Sequence, residues 1–339
     1  MAASSRRSNL VFVVAQDASV LGNVVFNLNL KHLFSSQPEA EDEPVLSLPA
    51  PVACFKQNDC FEYMAFAASP SGDVIASAST YRRTLIHRGG GGGGAVSRGP
   101  TMRSAKSYLF LVPVGDHMFF AMSAYPGSDD PQGSQFEALQ LRPGGRWAWT
   151  AIKDPPGLAR QERKDVTGYF VSGARVYVSS EGQGTYSYDT ARRRWRSEGA
   201  WELPVHGRGI LVPNFLGTGR RLLMGFRSPS VSDYSRPLCV VDMDARPPAV
   251  LASWPEAAVC PLQAWRAGYV VCPYFGQLIY FGGGRFCISI NVQNCEKPVS
   301  RGVLSFMAFE LTPELQLIKL KSSCYLMPQS SRGEPAVVI

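Results

Sequence analysis

Apolar residues along this chain recur at every second position or in short unbroken runs, and nowhere at the i, i+3, i+4, i+7 spacing of an amphipathic helix. This pattern predicts many short strands and almost no helix. One unit is most legible between Gly173 and Trp195. There Arg175 to Ser179 reads as a strand, Gly182-Gln183-Gly184 as a turn, Thr185 to Asp189 as a second strand, and Arg192 to Trp195 as the close of the unit. Alternation in the second strand puts Tyr186 and Tyr188 on one face.

The same unit recurs. Before it, Gly115 to Met122, Gln135 to Leu139 and Arg146 to Trp149 repeat the order; after it come Arg221 to Phe226, Pro237 to Asp242 and Trp254. The steps from Trp149 to Trp195 and on to Trp254 are 46 and 59 residues, near the roughly 50-residue period of kelch blades. A degenerate unit covers Phe61 to Arg103, where His87-Arg88 stands in place of a strand-ending Asp, so this blade is expected to be irregular. A fifth unit runs from Ala267 to Asn291.

Strand-like segments remain at both ends: Leu10 to Val14 and Val24 to Leu30, then Leu304 to Leu311 and Leu315 to Lys321. Together they supply a sixth blade shared by the termini, leaving no unpaired edge through the structure. The expected fold is an all-β, kelch-like β-propeller of six blades over residues 9–326, with five or seven as the neighbouring alternatives. Residues 1–8 and the tail 327–339 are expected to be disordered. Mobile insertions are expected near 36–44, where Glu39, Glu41, Asp42 and Glu43 sit between prolines, and near 88–100, which carries six consecutive glycines from Gly89 to Gly94.

Composition agrees with strands and turns: 32 Gly, 25 Pro, 18 Phe, 13 Tyr and 6 Trp in 339 residues. With 45% hydrophobic and 18% charged residues, a folded core rather than a disordered chain is expected. The net charge of +7 is spread over scattered arginines, the longest run being Arg192-Arg193-Arg194, so nucleic-acid binding is not expected. No apolar stretch reaches eighteen residues and the N-terminus lacks a signal-peptide core, so neither a membrane span nor secretion is predicted. The eight cysteines lie mostly in apolar runs without a Cys-x-x-Cys pair and read as reduced core residues of a cytoplasmic or nuclear protein.

Catalytic patterns are missing. The four histidines, His32, His87, His117 and His206, lie in separate segments, which disfavours a copper site or any other metal. Gly-x-Ser-x-Gly and the phosphate-binding Gly-x-x-x-x-Gly-Lys-Ser/Thr do not occur. Gly282-Gly283-Gly284 precedes a strand and reads as a tight turn. Asp189 and Asp242 end equivalent strands, which suits turn aspartates accepting backbone N–H groups more than an acid/base pair. Trp149 and Trp195 are expected between blades, in the core. No catalytic residue and no cofactor is assigned.

The residues Gly184-Thr185-Tyr186-Ser187-Tyr188-Asp189-Thr190, Trp195, Gly199-Ala200-Trp201-Glu202-Leu203-Pro204-Val205-His206-Gly207, Phe136-Glu137-Ala138-Leu139, Trp147 and Trp149 before Pro155-Pro156, Arg98-Gly99-Pro100 and Phe281 to Cys287 carry a family likeness. In this order the chain resembles a grass-expanded plant family of kelch-like proteins, domain of unknown function 1668. The resemblance spans about Phe61 to Tyr325 and implies a plant protein with a galactose-oxidase or kelch-type propeller and no known activity.

The expected function is a non-catalytic protein-interaction propeller, monomeric, away from membranes, with an unknown protein partner. Loops are its natural contact points, because a propeller gathers its inter-strand loops on two faces. Arg192, Arg193, Arg194, Arg227, Tyr234 and Arg236 are the candidate contact residues, and Trp149, Tyr186, Asp189, Trp195 and Asp242 the structural ones. No F-box-like helical segment is read ahead of the strands, so a ubiquitin-ligase adaptor role is not expected. The alternative is a propeller enzyme or a sugar binder using the central channel.

Overall fold

In the computed structural model of the chain, the strand Met118–Ser123 shows why its apolar run does not alternate with polar residues. Phe119 and Ala121 join one buried cluster, with Ala65, Ile75, Ile86 and Trp149, while Phe120 and Met122 join another, with Val166, Val176 and Tyr188. A sheet covered on both faces needs apolar side chains at consecutive positions, because period two sends them to opposite sides. Phe119 and Phe120 are both fully buried, which stabilises by roughly 1.5–3 kcal/mol each.

Six such sheets make the chain an all-β, six-bladed β-propeller. The structure describes residues 10–35, 45–59, 62–89, 95–125, 133–156, 165–228, 236–255, 269–271, 276–294, 302–330 and 337–339. Blade 1 holds Leu10–Asp17, Gly22–Asn29, Ala53–Lys56 and Val337–Val338; blade 2 holds Met64–Ala68, Val74–Ala78, Thr84–His87 and Val96–Arg98. Blade 3 holds Leu109–Pro113, Met118–Ser123, Phe136–Arg142 and Arg146–Ile152. Blade 4 holds Val166–Ser172, Arg175–Ser180, Gly184–Asp189 and Arg194–Gly199, with Gly207–Arg208 added in parallel. Blade 5 holds Ile210–Val212, Leu222–Phe226, Leu238–Asp242 and Ala249–Trp254. In blade 6 both Tyr269–Val271 and Gln277–Gly282 pair with Arg285–Asn294, followed by Val303–Leu311, Leu317–Leu326 and the parallel Leu46–Ser47.

Among the described residues the helical elements are two 3-10 turns, Lys31–Phe34 and Phe215–Gly217, and no helix is long and apolar enough to cross a membrane. Blades 2, 3 and 4 lie in one compact unit, Asn58–Leu211 with Ala245–Ala249. Blades 1 and 6 and most of blade 5 belong to the other, Met1–Gln57, Val212–Asp244 and Val250–Ile339. In this second unit Val11, Val13, Phe26 and Leu28 pack with Leu304, Phe306 and Tyr325.

Three expectations need correction. Blade 2 is not irregular: all four strands are present. His87 stands opposite Val74, as Asp189 stands opposite Arg175 and Asp242 opposite Leu222. Asp73, from the adjacent turn, accepts the Gly89 N–H at 3.0 Å and supplies the missing turn acceptor.

The segments Leu304–Leu311 and Leu315–Lys321 do not enter the blade shared by the termini. Thr312 N–H donates to Gln316 O (3.0 Å) and Leu315 N–H to Thr312 O (2.9 Å), with Leu315 left-handed at φ 63°. This short turn makes Val303–Leu311 and Leu317–Leu326 hairpin neighbours, and the first of them pairs with Arg285–Asn294, so both complete blade 6.

The shared blade takes its C-terminal strand instead from the tail expected to be disordered: Val337 and Val338 pair with Val14 and Val13. Val338 is buried, which gives this short strand an apolar reason to dock. The expectations for residues 1–8, for 36–44 and for the glycines at 90–94 lie outside the described residues. Gly282, Gly283 and Gly284 form the expected turn, at φ 84°, 59° and 75°.

Candidate protein-interaction surface

In a four-stranded antiparallel blade the first and third turns share one end; the second turn and the connection into the first strand share the other. Blades 2 and 3 both place tyrosines at this other end. Tyr63 and Tyr108 immediately precede the first strands, and Tyr81 and Tyr125 stand in the second turns. The backbone repeats with them: Ser79 N–H donates to Tyr63 O and Ala124 N–H to Tyr108 O, each at 3.2 Å. Their exposures are 52% for Tyr63, 48% for Tyr81, 66% for Tyr108 and 45% for Tyr125. No other aromatic side chain among the described residues is exposed to this extent. Such clustering is the mark of a contact surface, since scattered exposed apolar residues are ordinary and grouped ones are not.

The two blades are joined at this end. Met102 N–H donates to Arg82 O (2.8 Å), Arg82 Nη1 donates to Arg103 O (3.0 Å), and Ser79 Oγ donates to Lys106 O. Tyr108 and Tyr125 meet edge to face, with centroids 4.9 Å apart and planes at 87°.

Two buried carboxylates hold the tyrosine loops from below. Glu62 accepts Asn58 N–H (2.6 Å), Arg83 Nε (3.0 Å) and Arg83 Nη2 (2.6 Å). Glu137 accepts Lys106 Nζ (2.7 Å), Arg103 N–H (2.9 Å) and Ser104 N–H (3.0 Å), and Lys106 Nζ also donates to Ser134 O (2.9 Å). Glu62 adjoins Tyr63, Arg83 follows Tyr81 by two positions, and Lys106 precedes Tyr108 by two. The loops are thereby fixed in advance of any encounter, which lowers the entropy lost on binding. Arg82 and Tyr108 adopt left-handed backbone conformations at φ 55° and 47°, which persist in non-glycine residues only where the surroundings over-determine them.

The aromatic face ends at blade 4. There exposed Asp165 stands where Tyr63 and Tyr108 precede the first strands, and exposed Glu181 takes the place of Ser79 and Ala124, its N–H donating to Asp165 O at 3.0 Å. Exposed Glu202 accepts Gly182 N–H beside them (2.8 Å). Tyr81 donates its hydroxyl to Asp59, and this bond, ahead of the carboxylate's charge, raises its pKa.

A pocket of about 120 Å³ lies in the same unit, lined by Val112, Pro113, Tyr169, Phe170, Val171 and Arg208 to Leu211. Burial pushes the Tyr169 phenol up to about 12, Arg208 opposing and Tyr63 adding to the shift. No carboxylate, imidazole or thiol lines it, and no group of three His, Cys, Asp or Glu able to hold a metal occurs among the described residues.

The contact residues expected from the sequence fall elsewhere. Arg192, Arg193 and Arg194 are exposed on the third turn of blade 4, whose geometry Asp189 sets by accepting Ala191 N–H (3.1 Å) and Arg192 N–H (2.9 Å). Arg227 is exposed and Arg236 half-buried in the second connection of blade 5, and Tyr234 lies outside the described residues. The five described residues among them thus belong to opposite kinds of turn.

Asp189 also pairs with Arg175 at 3.2 Å, and Asp242 accepts Asp244 N–H at 2.8 Å. Trp149 is buried, and Trp195 packs on Phe120, Phe136 and Tyr188, so both fill the space between blades. Tyr186 is half-buried. The four surface tyrosines escaped sequence reading because a tyrosine at a strand boundary reads as strand; the signal was their recurrence at equivalent places in two units.

Against known families, residues 5–325 match the profile of a family described as a protein of unknown function, DUF1668. The chain belongs to the DUF1668 family. No curated protein matches this DUF1668 chain in sequence. Among solved structures it is similar to a protein of unknown function from Bacteroides caccae, with 10% identity, TM-score 0.49 and coverage of 93% of this chain and 94% of the other. Apo AztD from Citrobacter koseri gives 10% identity, TM-score 0.47 and 97% of each chain. Saccharomyces cerevisiae Sqt1 gives 12%, 0.44, and 95% and 76% respectively.

Proposed function

We infer that this DUF1668 chain is a non-catalytic, protein-binding propeller of kelch type in a plant cell, cytoplasmic or nuclear and monomeric. The tyrosine-bearing end of blades 2 and 3 is its contact surface. One observation carries this reading: the exposed aromatic side chains of the described residues are gathered at one end of two adjacent blades. Tyrosine is a preferred interface residue because it offers large contact area and a hydrogen-bonding hydroxyl at low rotamer cost. Kelch character rests on the tryptophan spacing, and the plant setting on the sequence likeness.

The alternative is a sugar-binding or catalytic propeller that uses the central channel. The pocket beside Tyr169 measures about 120 Å³, well short of the roughly 300–1,000 Å³ of small-molecule sites. Its lining offers no acid/base pair.

Photo-crosslinking tests the reading. A benzophenone side chain placed at position 108, and separately at 193, is activated in plant cells expressing the full chain. A discrete protein adduct from position 108 is expected. Adducts from 193 alone, or no protein adduct from either position, would overturn it.

A further inference from the structure

We propose that the cavity beside Tyr169 is a carboxylate-binding site, in which the Arg208 guanidinium and the Tyr169 hydroxyl hold the oxygens of a monocarboxylate and the walls hold its short apolar stem. The assignment goes beyond the protein-binding reading and does not depend on it.

The site is built by laying a second strand against the first strand of blade 4. Leu203 and Val205 are buried and anchor the segment that follows the blade. Gly168 lets this segment come close, since a Cβ there would run into Val205 O. Gly207, at φ 72°, and Arg208 then pair in parallel with Gly168 and Tyr169, and Gly209 N–H donates to Tyr169 O at 2.8 Å. Because Arg208 is in register with Tyr169, the two side chains project from the same face of the sheet. That face packs on blade 3, where the Tyr169 and Phe110 rings lie 5.0 Å apart. Arg208 and Tyr169 line the cavity together with Val112, Pro113, Ile210 and Leu211.

Both polar groups are free to bind. Tyr169 is only 7% exposed, yet its hydroxyl has no hydrogen-bond partner among the described residues. It is not one of the sealed polar atoms that lack a partner, so solvent still reaches it. The exposed Arg208 side chain forms no ion pair or hydrogen bond among the described residues. Its charge acts on the Tyr169 phenol, against the rise that burial causes, which places the guanidinium near the hydroxyl. With its pKa at about 12, the phenol keeps its proton for donation at neutral pH. Tyr63, of the tyrosine face, acts on the same phenol, so one bound protein can reach both places.

Size and walls select the ligand. A cavity of about 120 Å³ holds the volume of about four waters at roughly 30 Å³ each, which suits a carboxylate on a short stem. A planar carboxylate accepts two parallel bonds from one guanidinium, and their charges cancel. A phosphoryl group carries about −1.5 to −2 and would meet a single cation between aliphatic walls. The carboxylate belongs either to a free short-chain acid or to an acidic side chain or C-terminus of a bound protein.

The test titrates sodium butyrate into the purified full chain, followed by saturation-transfer NMR, with butyramide and inorganic phosphate as comparisons. Butyrate is expected to bind about tenfold or more tightly than either. Arg208→Gln should weaken butyrate by about tenfold or more, and Tyr169→Phe by about three- to tenfold. Neither substitution removes a bond within the fold, so both variants should melt as the native chain does. No butyrate binding, or binding indifferent to Arg208→Gln, would overturn the site. Equal binding of butyramide, or tighter binding of phosphate, would overturn the carboxylate assignment.

The source is read in plant cells. A short-chain acid released on denaturing the native chain, and not the Arg208→Gln chain, assigns a free ligand. Loss of the position-108 protein adduct in Arg208→Gln, with no acid released, assigns a carboxylate of the bound protein. Neither effect would reduce the site to adventitious binding of butyrate and overturn it, while a position-108 adduct that persists would leave the protein-binding reading standing.

Discussion

Trp149, in the outermost strand of blade 3, donates its indole N–H to Thr84 Oγ1 of blade 2 across 2.9 Å, and both residues are buried. A tryptophan between blades must find an acceptor for its one polar atom, and the neighbouring sheet provides it. Trp149→Phe should cost about 1–3 kcal/mol, and Thr84→Val a similar amount. The double variant should lose less than the two combined, since both remove the same bond. Urea unfolding of the three variants checks this.

Under the tyrosine face, Lys106 and Glu137 are both without solvent contact. Glu137→Gln leaves a buried ammonium facing a neutral amide and should destabilise by about 3–5 kcal/mol. Lys106→Met should cost less, because the Glu137 carboxylate keeps two backbone N–H donors. Equal losses in denaturant titrations would refute the ranking.

Asp189 has its pKa lowered, first by the backbone N–H of Arg192 and also by the Arg175 charge, against an opposing effect of burial. A group whose pKa is lower folded than unfolded adds stability above its unfolded value, and that stability is lost as pH falls through the folded value. Between about pH 5 and pH 2 the melting temperature of the native chain should therefore fall more steeply than that of Asp189→Asn. Parallel curves in scanning calorimetry would contradict this.

Burial pushes the Cys239 thiol up to about 12 and raises that of Cys287 further. Cys54, half-buried, is also raised by burial, with Lys56 opposing. The thiolate is the reactive form, so at pH 8 iodoacetamide should label Cys54 well before Cys239 or Cys287, as peptide mapping can follow. Cys324 is likewise in no disulfide among the described residues, and Cys60, Cys260, Cys272 and Cys295 lie outside them.

Tyr108 holds a left-handed backbone conformation that costs a non-glycine residue roughly 1–2 kcal/mol. Tyr108→Gly removes this strain while adding freedom to the unfolded chain. Stability should change by less than about 1 kcal/mol, while protein binding at the tyrosine face is lost. A large loss of stability would make Tyr108 a structural residue.

Fold class was legible in the sequence because it depends on local period. A run such as Met118-Phe119-Phe120-Ala121-Met122, bounded by turn residues, suits a strand covered on both faces, and the tryptophan steps mark three successive blades whatever their loops do. The turn aspartates were legible for the same reason: Asp189 needs only the next three residues to fulfil its role.

What the sequence could not show is which distant segments meet. Val337–Val338 pairs with the first strand, although two valines carry no pattern of their own; the partner edge decides their conformation. Likewise, Tyr63, Tyr81, Tyr108 and Tyr125 are spread over more than sixty residues and read locally as strand borders. Only the side-by-side packing of two blades brings them to one end, because exposure depends on what covers a side chain and not on its neighbours along the chain.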